Sequence, residues 1–307
     1  MPPSPIAVLG EALVDEFHDG PVAGGAPFNV ARMLATLGLP TMFISRIAAD
    51  DANGRLVLGS ARRYGLADHG LQRDPLRATG RVSVHEAAGG GHRFQIHADA
   101  AWDHLALEPA RAAIDAAQPG LLYLGSLAQR HAVSRATIRA LAKRFSGLRF
   151  LDLNLRPGVD NALCAAESLM LADWVKVNDE ELARLTDWFE ADGDEAAQVA
   201  SLMDRFALQR LVLTRGAQGW RFYGPGGAAL AEGAGEAQPR LVDTVGAGDA
   251  FTAVLLAGHG LGRDLPATLA LANRVAAFIC GQRGPLPTDA HALAPWRDAL
   301  HALPPGR

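Results

Sequence analysis

Short apolar runs alternate with amphipathic helical segments along most of the chain, and this alternation restricts the possible folds more than any other feature. PIAVLG (5–10) predicts a buried strand, and FNVARMLATLG (28–38) follows with apolar residues at i, i+3, i+4 and i+7 before a glycine. TMFISRIA (41–48) and GRLVLGSARRYG (54–65) repeat the strand and the helix. Strands separated by helices form parallel sheets covered by helices on both faces. The alternation therefore predicts an α/β fold with a mostly parallel central sheet.

The alternation is interrupted between residues 79 and 100. TGRVSVHEA (79–87) and HRFQIHADA (92–100) alternate with period two around AGGG (88–91), which predicts a β-hairpin with no intervening helix. GPGGAALAEGAGEA (224–237) is expected to be a loose connection. We expect a single domain over residues 1–307, with the hairpin as a small β-appendage or lid. Later strands are predicted in GLLYLGS (120–126), LRFLDLNL (148–155), WVKVN (174–178), RLVLTRG (210–216) and GWRFYG (219–224).

Composition and charge exclude several kinds of partner and location. The net charge is −4, from 33 acidic and 29 basic residues, which gives no sign of a nucleic-acid or membrane-surface footprint. Cys164 and Cys280 show no metal-ligand spacing and are expected to be reduced thiols. The start of the chain lacks a basic n-region, and no apolar run reaches the roughly 20 residues of a membrane helix. We therefore expect a cytoplasmic protein with neither nucleic-acid nor membrane partners.

The stretch DTVGAGDAF (243–251) places a glycine turn and a carboxylate at the start of an apolar helical pattern. The backbone N–H groups of Gly246, Ala247 and Gly248 can point at one anion, most naturally a phosphate. Asp249 would repel that phosphate, unless its role is to take the proton of a hydroxyl that attacks phosphorus. The alternative is a plain glycine turn with Asp249 as a helix-terminus charge. Neither G-x-x-x-x-G-K-[ST] nor G-x-G-x-x-G is present, so any phosphate chemistry uses other parts.

Six blocks of the chain resemble those of the ribokinase-like (PfkB) carbohydrate kinases, in the family's order. DTVGAGDAFTAVLLAG (243–258) resembles the C-terminal signature, and GGAPFNVARMLATLG (24–38) resembles the N-terminal signature in the form typical of fructokinases. The resemblance covers essentially the whole chain. It implies a three-layer αβα sandwich with a small β-strand lid formed by roughly 12–24 and 79–100. The other blocks are DLNLRP (152–157), VKVNDEEL (175–182), LTRGAQG (213–219) and ANRVAAFICGQRG (272–284).

The resemblance implies catalytic roles near the C-terminal signature. Asp249 matches the family's catalytic base, which takes the proton from the sugar's primary hydroxyl. Gly246, Ala247 and Gly248 match its anion hole. Asp243 resembles part of a monovalent-cation site, usually for potassium, and the alternative is that it caps the glycine turn.

The resemblance also implies a site for ATP. Asn178 and Glu181 match the N-x-x-E motif that positions Mg²⁺ and water near the phosphates, although the same spacing is that of a capping box. Lys176, on the strand entering this motif, faces either the phosphates or solvent. Asn273 falls where the adenine pocket is lined, with an exposed helix position as the alternative. The residues that match the nucleotide-side strand and turn are Thr214, Gly216 and Gly219.

On the sugar side, Asp15 resembles the family's acceptor for substrate hydroxyls, and we place it at the end of the first strand. Gly24, Gly25 and Asn29 are similar to residues that line the sugar pocket, although the glycines also suit a tight turn before the helix. Arg156 resembles a residue near the sugar or the phosphates, and the alternative is an ordinary surface arginine.

The chain departs from the family pattern at two places. Ala48 stands where the N-terminal signature usually has a glycine, and GVDNAL (158–163) follows DLNLRP where many fructokinases continue toward a tryptophan. The resemblance implies an ATP-dependent sugar kinase that uses Mg²⁺ and K⁺, with D-fructose as leading substrate. The alternatives are 2-keto-3-deoxygluconate, another ketose or a nucleoside as substrate, or a catalytically silent sensor. Exposed lid strands also suggest a homodimer.

Overall fold

The computed structural model describes residues 3–18, 20–87, 91–156, 160–236, 238 and 240–306. Its strands are β1 (Ile6–Leu9), β2 (Leu13–Phe17), β3 (Gly20–Gly24), β4 (Thr41–Ala48), β5 (Leu71–Asp74), β6 (Gly80–Ala87), β7 (Gly91–Ile96), β8 (Leu121–Gly125), β9 (Leu148–Asp152), β10 (Trp174–Asn178), β11 (Arg210–Thr214), β12 (Trp220–Tyr223) and β13 (Ala229–Gly233). Its helices are α1 (Ala26–Thr36), α2 (Ala52–Arg63), α3 (Leu107–Ala117), α4 (Ala132–Arg144), α5 (Ala162–Leu169), α6 (Asp179–Phe189), α7 (Glu195–Arg205), α8 (Ala247–Gly260), α9 (Leu265–Cys280) and α10 (Ala294–His301). None of the helices in these ranges is long and apolar enough to cross a membrane.

The central sheet runs in the order β13-β12-β11-β10-β9-β8-β1-β4-β5. Every pairing from β11 to β5 is parallel, and the two pairings made by β12 are antiparallel. The predicted mostly parallel sheet is confirmed. The long connections between neighbouring parallel strands are where the chain places its helices, as such crossovers require.

Strand β13 lies where the sequence predicts a loose connection, and that prediction is wrong. The strand pairs with β12 at the edge of the sheet, with Gly233 opposite Trp220. A Cβ on Gly233 would lie 2.7 Å from the Trp220 indole, so the absence of a side chain lets the ring cover this edge. The Gly/Ala-rich composition that hides the strand in the sequence is what permits this packing.

Two apolar layers cover the two faces of the sheet. Along β1, Ile6 and Val8 join one buried cluster, and Ala7 and Leu9 join the other, as the two-residue period of a strand requires. The first cluster is completed by α1, α2, α8, α9 and α10, and the second by α3 to α7. The expected three-layer αβα sandwich is confirmed.

A second, four-stranded sheet has the order β3-β2-β6-β7. It falls within the two segments expected to form a lid, and the turn expected at 88–91 lies largely outside the described residues. Asp15 belongs to β2 of this sheet, so its expected place at the end of the first strand is wrong. Where the chain leaves the central sheet after Leu9, Gly10 passes close to α1, and a Cβ there would lie 2.2 Å from the Pro27 ring.

Candidate active site

Polar residues, including the predicted Asn178 and Thr214, lie at the carboxyl ends of the central parallel strands. Asp152, Asn178 and Thr214 are the last residues of β9, β10 and β11. Glu11 follows the end of β1, in the connection to the small sheet. This edge is where open α/β sheets bind ligands, because loops and helix N-termini converge there.

Helix α8 begins at this edge, and its first turn carries Asp249. Gly246 is the N-cap residue with φ 82°, a left-handed conformation that favours glycine. A Cβ at that position would also lie 2.4 Å from Pro285 Cα. Two physical reasons therefore favour glycine at position 246: its positive φ and its close backbone neighbour.

The N-terminus of α8 is positively polarised. No side chain of the described residues caps it, and the N–H groups of Gly248 and Asp249 remain open to an anion. Ala247 N instead donates to Thr244 O at 3.3 Å, so the expected contribution of the Ala247 N–H to an anion hole is not supported. The Lys176 ammonium approaches the same turn, since a Cβ on Gly248 would lie 3.5 Å from Lys176 Nζ. Helix N-terminus and ammonium together form a site for negative charge.

Asp249 is half-buried beside this positive region. Burial, the largest influence, raises the pKa of Asp249 to about 6, and the Asp152 charge acts in the same direction. A hydrogen bond from Asn29 Nδ2 to Asp249 Oδ2, 2.7 Å long, opposes that shift, as do the charges of Lys176 and Arg156. A carboxylate of this kind accepts a proton readily near neutral pH.

Lys176 forms a buried ion pair beneath the turn. Its Nζ lies 2.8 Å from Asp152 Oδ1, and Thr252 Oγ1 donates to Asp152 Oδ2 at 2.8 Å. Burial alone would lower the pKa of Lys176, but the charges of Asp152 and Glu181 raise it above its ordinary value. The ammonium therefore stays charged, and the alternative that Lys176 faces solvent is wrong because the residue is buried.

Asn178 and Glu181 form a complete capping box on α6. Glu181 N donates to Asn178 Oδ1, and Asn178 N donates to Glu181 Oε2, both at 2.8 Å. Leu155 N donates to Glu181 Oε1 at 2.8 Å, so the carboxylate also fixes the chain after β9. Burial raises the pKa of Glu181. The structural alternative is thus present, and a role toward Mg²⁺ stays a prediction.

Asp15 and Gly24 are neighbours in the small sheet, Gly25 follows as the N-cap of α1, and Arg156 follows β9. Gly25 has φ 106° with Glu11 O close behind it, so glycine is sterically required there. A Cβ on Gly24 would lie 2.4 Å from Asp15 Oδ2, so a larger residue at that position would displace the Asp15 carboxylate. Burial raises the pKa of Asp15 to about 6, while the Arg156 charge lowers it. Arg156 is half-buried and also acts on Asp249, so its position is not that of a simple surface arginine.

The nucleotide-side residues lie between β11, β12 and α9. Thr214 Oγ1 donates to Val177 O at 3.4 Å, and Asn273 Nδ2 donates to Ala234 O at 2.9 Å. Gly216 and Gly219 have φ of 50° and 96° in the turn between the strands. These contacts give the structural reason for each residue, and their contact with a nucleotide stays a prediction.

Asp243 anchors the segment before the glycine turn. Its Oδ1 accepts from Val245 N at 3.0 Å, and its Oδ2 accepts from Gly284 N at 3.1 Å. The capping alternative is therefore observed, and a potassium site stays a prediction. Within the described ranges, no three His, Cys, Asp or Glu side chains are grouped so as to hold a metal ion.

The buried polar residues of this region that sequence reasoning missed include Glu11, Arg32, Tyr123 and Asp152. Glu11 is 2% exposed, and burial raises its pKa to about 7. Its Oε2 and the Tyr123 hydroxyl have no hydrogen-bond partner among the described residues. Arg32 was detectable as a charge on the apolar face of α1, whereas Glu11 and Tyr123 carry no comparable signal.

Comparison with known proteins identifies the family. The pfkB family carbohydrate kinase model matches residues 9–291. A fructokinase from Klebsiella pneumoniae is 32% identical, and the alignment covers 96% of this chain and 97% of that protein. A Vibrio cholerae O395 fructokinase structure with fructose, ADP and calcium bound is 25% identical at a TM-score of 0.79, covering 95% and 98% of the two chains. An ATP complex of a sugar kinase from Pyrococcus horikoshii is 26% identical at a TM-score of 0.78, covering 96% and 99%. The chain therefore belongs to the pfkB family of carbohydrate kinases, as a fructokinase-like member.

Proposed function

We propose that this protein transfers the γ-phosphoryl group of ATP to the primary 6-hydroxyl of D-fructose. The observation that carries the proposal is Asp249, a half-buried carboxylate with a pKa of about 6 at the uncapped N-terminus of α8. Base and anion site are thus adjacent, as transfer to an alcohol requires. The fructokinase names of the relatives, and the fructose and ADP in the Vibrio cholerae complex, support the choice of substrates.

In the proposed reaction, Asp249 accepts the proton of the 6-hydroxyl as its oxygen forms a bond to the γ-phosphorus. The bond from that phosphorus to the β–γ bridging oxygen breaks, and ADP leaves with the bond's electron pair. The N–H groups of Gly248 and Asp249 and the Lys176 ammonium stabilise the charge on the transferring group. Asp15 and Arg156 contact the remaining sugar hydroxyls.

Mg²⁺ and K⁺ complete the proposed site. Each Glu181 oxygen accepts one backbone N–H and keeps a second lone pair, which fits a carboxylate that orders metal-bound water with Asn178. Asp243 has the same spare acceptor capacity and fits an oxygen-lined potassium site. Bound Mg²⁺ would neutralise charge on the phosphates, and the residues named here would hold it and its water.

We also propose that the four-stranded sheet closes over the sugar and joins two copies of the chain. Closure would exclude water, which competes with fructose for the phosphoryl group. The edge strand β3 presents Val22 with 39% of its surface exposed, and pairing with a second copy would cover such an edge. Size-exclusion chromatography with multi-angle light scattering should give a dimer mass, and a monomer at micromolar concentration would remove this proposal.

The test of the function is a coupled ADP-release assay with Mg-ATP and K⁺. The acceptors are fructose, 2-keto-3-deoxygluconate, tagatose, ribose and adenosine, each over a range of concentrations. Fructose should give the highest kcat/KM. A preference for another acceptor would keep the chemistry and replace the substrate, and ATP binding without turnover on any acceptor would favour a sensor. Omitting Mg²⁺ or K⁺ in turn tests the two ions.

A further inference from the structure

Arg32 is a buried cation on α1, close to the proposed active site. The residue is 3% exposed, and its guanidinium lies 4.2 Å above the Phe28 ring. Burial lowers the pKa of Arg32 to about 10, so the group stays charged at neutral pH. A buried charge is costly unless every donor is used, which raises the question of what this one does.

The guanidinium binds three different elements of the fold. Nη1 donates to Ser60 Oγ of α2 at 2.6 Å, and Nη2 donates to Ala23 O of β3 in the small sheet at 3.1 Å. Nη2 also donates to Asn29 Oδ1, one turn earlier on α1, at 2.5 Å. The planar fork of arginine can serve these directions together, whereas a lysine ammonium is a single point.

The contact with Asn29 decides which way the Asn29 amide faces. A guanidinium has only donors, so the amide must present its carbonyl oxygen to Arg32. The amide nitrogen then points the other way, and Nδ2 donates to Asp249 Oδ2 at 2.7 Å. With the amide reversed, its carbonyl oxygen would face the Asp249 carboxylate and repel it.

We propose that Arg32 is a positioning residue for phosphoryl transfer, because it holds the Asn29 amide in the orientation that stabilises the ionised Asp249 carboxylate. The inference rests on the role of Asp249 as base in the proposed function. Arg32 contacts neither sugar nor phosphate in this scheme and acts through Asn29. The Ala23 contact ties the same guanidinium nitrogen to the small sheet, so β3 and the base share one hydrogen-bond network.

Other groups also set the charge state of Asp249, and each must stay unchanged in a test of Arg32. Tyr123 and Glu11 lie near Asp249 as groups that can be neutral or ionised, and the other groups act on Asp249 through their charge. Besides Arg32 itself, the groups that face Asp249 are Glu11 after β1, Tyr123 on β8, Asp152 on β9, Arg156 after β9 and Lys176 on β10.

The test measures kcat/KM for fructose against pH in Arg32→Gln and Arg32→Lys. A glutamine can present either its oxygen or its nitrogen to Asn29, so the amide orientation is no longer fixed. The acid limb of the profile is the pH range in which kcat/KM falls as the solution becomes more acidic. We expect this limb to lie about one pH unit higher in Arg32→Gln than in wild type. Its kcat/KM should then be roughly tenfold lower at acidic pH and should recover above pH 8. Arg32→Lys should move the limb less. Recovery at high pH separates this effect from a folding defect.

A double-mutant cycle with Asn29→Ala separates orientation from through-space charge. Asn29→Ala alone should move the limb upward, and adding Arg32→Gln to it should cause no further movement. A further movement of similar size would overturn the proposal in favour of direct charge. The control is Arg62→Gln, an exposed arginine on α2, which should keep the wild-type limb.

Two further outcomes are decisive. If Arg32→Gln folds and its acid limb lies at the wild-type pH, the proposal is overturned. If Arg32→Gln does not fold, the pH profiles of Arg32→Lys and Asn29→Ala are used in its place. An unmoved limb in both of those folded variants overturns it equally. Asp249→Asn, run alongside, isolates the proposed function: full turnover there would remove the base itself, whereas its loss with unmoved limbs would remove only the role of Arg32.

Discussion

At the scale of single residues, burial adjusts the Asp249 carboxylate to the base role proposed for it. Desolvation raises its pKa to about 6, and the hydrogen bond from Asn29 limits that rise. A base with a lower pKa would bind the proton too weakly, and one with a much higher pKa would already be protonated at neutral pH. The balance between burial and one amide donor therefore suits Asp249 to its proposed role as base.

The pH dependence of wild-type activity follows from this pKa. The base acts when ionised, so kcat/KM should be constant above about pH 7 and fall below about pH 6 by tenfold per unit. The pKa of Asp15 lies in the same range, so Asp15→Asn is the control. This variant should bind fructose more weakly, but the acid limb of its kcat/KM profile, which Asp249 sets, should remain. A flat profile from pH 5 to pH 7 would contradict the assignment.

Asp249→Asn should reduce turnover by about 10²–10⁴ while ATP and fructose still bind. The amide cannot take a proton at neutral pH, but it occupies the same volume beside Asn29. Steady-state kinetics gives the turnover, and calorimetric titration gives the affinities. A variant that keeps most of its turnover would show that another group accepts the proton.

Residue-level prediction from the sequence succeeded where a local pattern reports a local geometry. Gly246, Gly25 and the Asn178–Glu181 pair were found because positive φ and capping leave signatures in neighbouring residues. Arg32 and Glu11 were not found as site residues. Arg32 acts through Asn29, whose bond to Asp249 spans 220 positions, and the charges acting on Glu11 are those of the distant Arg156 and Asp249. No local spacing encodes such long-range contacts.

At the scale of elements, the N-terminus of α8 depends on its glycine turn. Gly246→Ala places a side chain at φ 82° and within 2.4 Å of Pro285 Cα, so the turn must shift. We expect a loss of roughly 1–3 kcal/mol in the free energy of unfolding, and a fall in kcat because the helix N–H groups move. Urea unfolding and steady-state kinetics measure the two effects.

Gly248→Ala is the control for stability in that experiment. A Cβ on Gly248 meets nothing closer than 3.5 Å, and alanine favours the first helical turn. Its free energy of unfolding should stay within about 0.5 kcal/mol of wild type. Equal destabilisation of the two variants would refute the steric argument for Gly246.

Elements with strong periodicity were predictable, and elements defined by the edges of sheets were not. The strand Trp174–Asn178 matches its prediction because WVKVN is short, apolar and followed by a capping box. Strand β13 was missed because its weakly apolar Ala/Gly pattern becomes a strand only against Trp220 of its neighbour. Tertiary packing decides such cases.

At the scale of the whole molecule, the site concentrates acids that the fold would hold more easily as neutral groups. Glu11, Asp15 and Asp249 all have pKa values raised by burial. Arg156, Arg32 and Lys176 offset part of their charge. The proposed site for hydroxyls and phosphates therefore lowers the stability of the fold at neutral pH, as is usual where function and stability compete.

Glu11→Gln tests this relation, because Glu11 is almost fully buried. Its pKa is about 7 in the folded chain and 4.5 as its ordinary value, so its contribution to stability is complete below about pH 4.5 and is lost as the pH rises through 7. Unfolding by urea at pH 5 and pH 8 should show wild type losing about 2.5 kcal/mol more than Glu11→Gln over that interval. Glu108→Gln, on the exposed side of α3, controls for the chemical change alone. If wild type and Glu11→Gln lose stability equally, the Glu11 carboxyl is ionised in the fold at both pH values, and the charge of Arg156 compensates its burial.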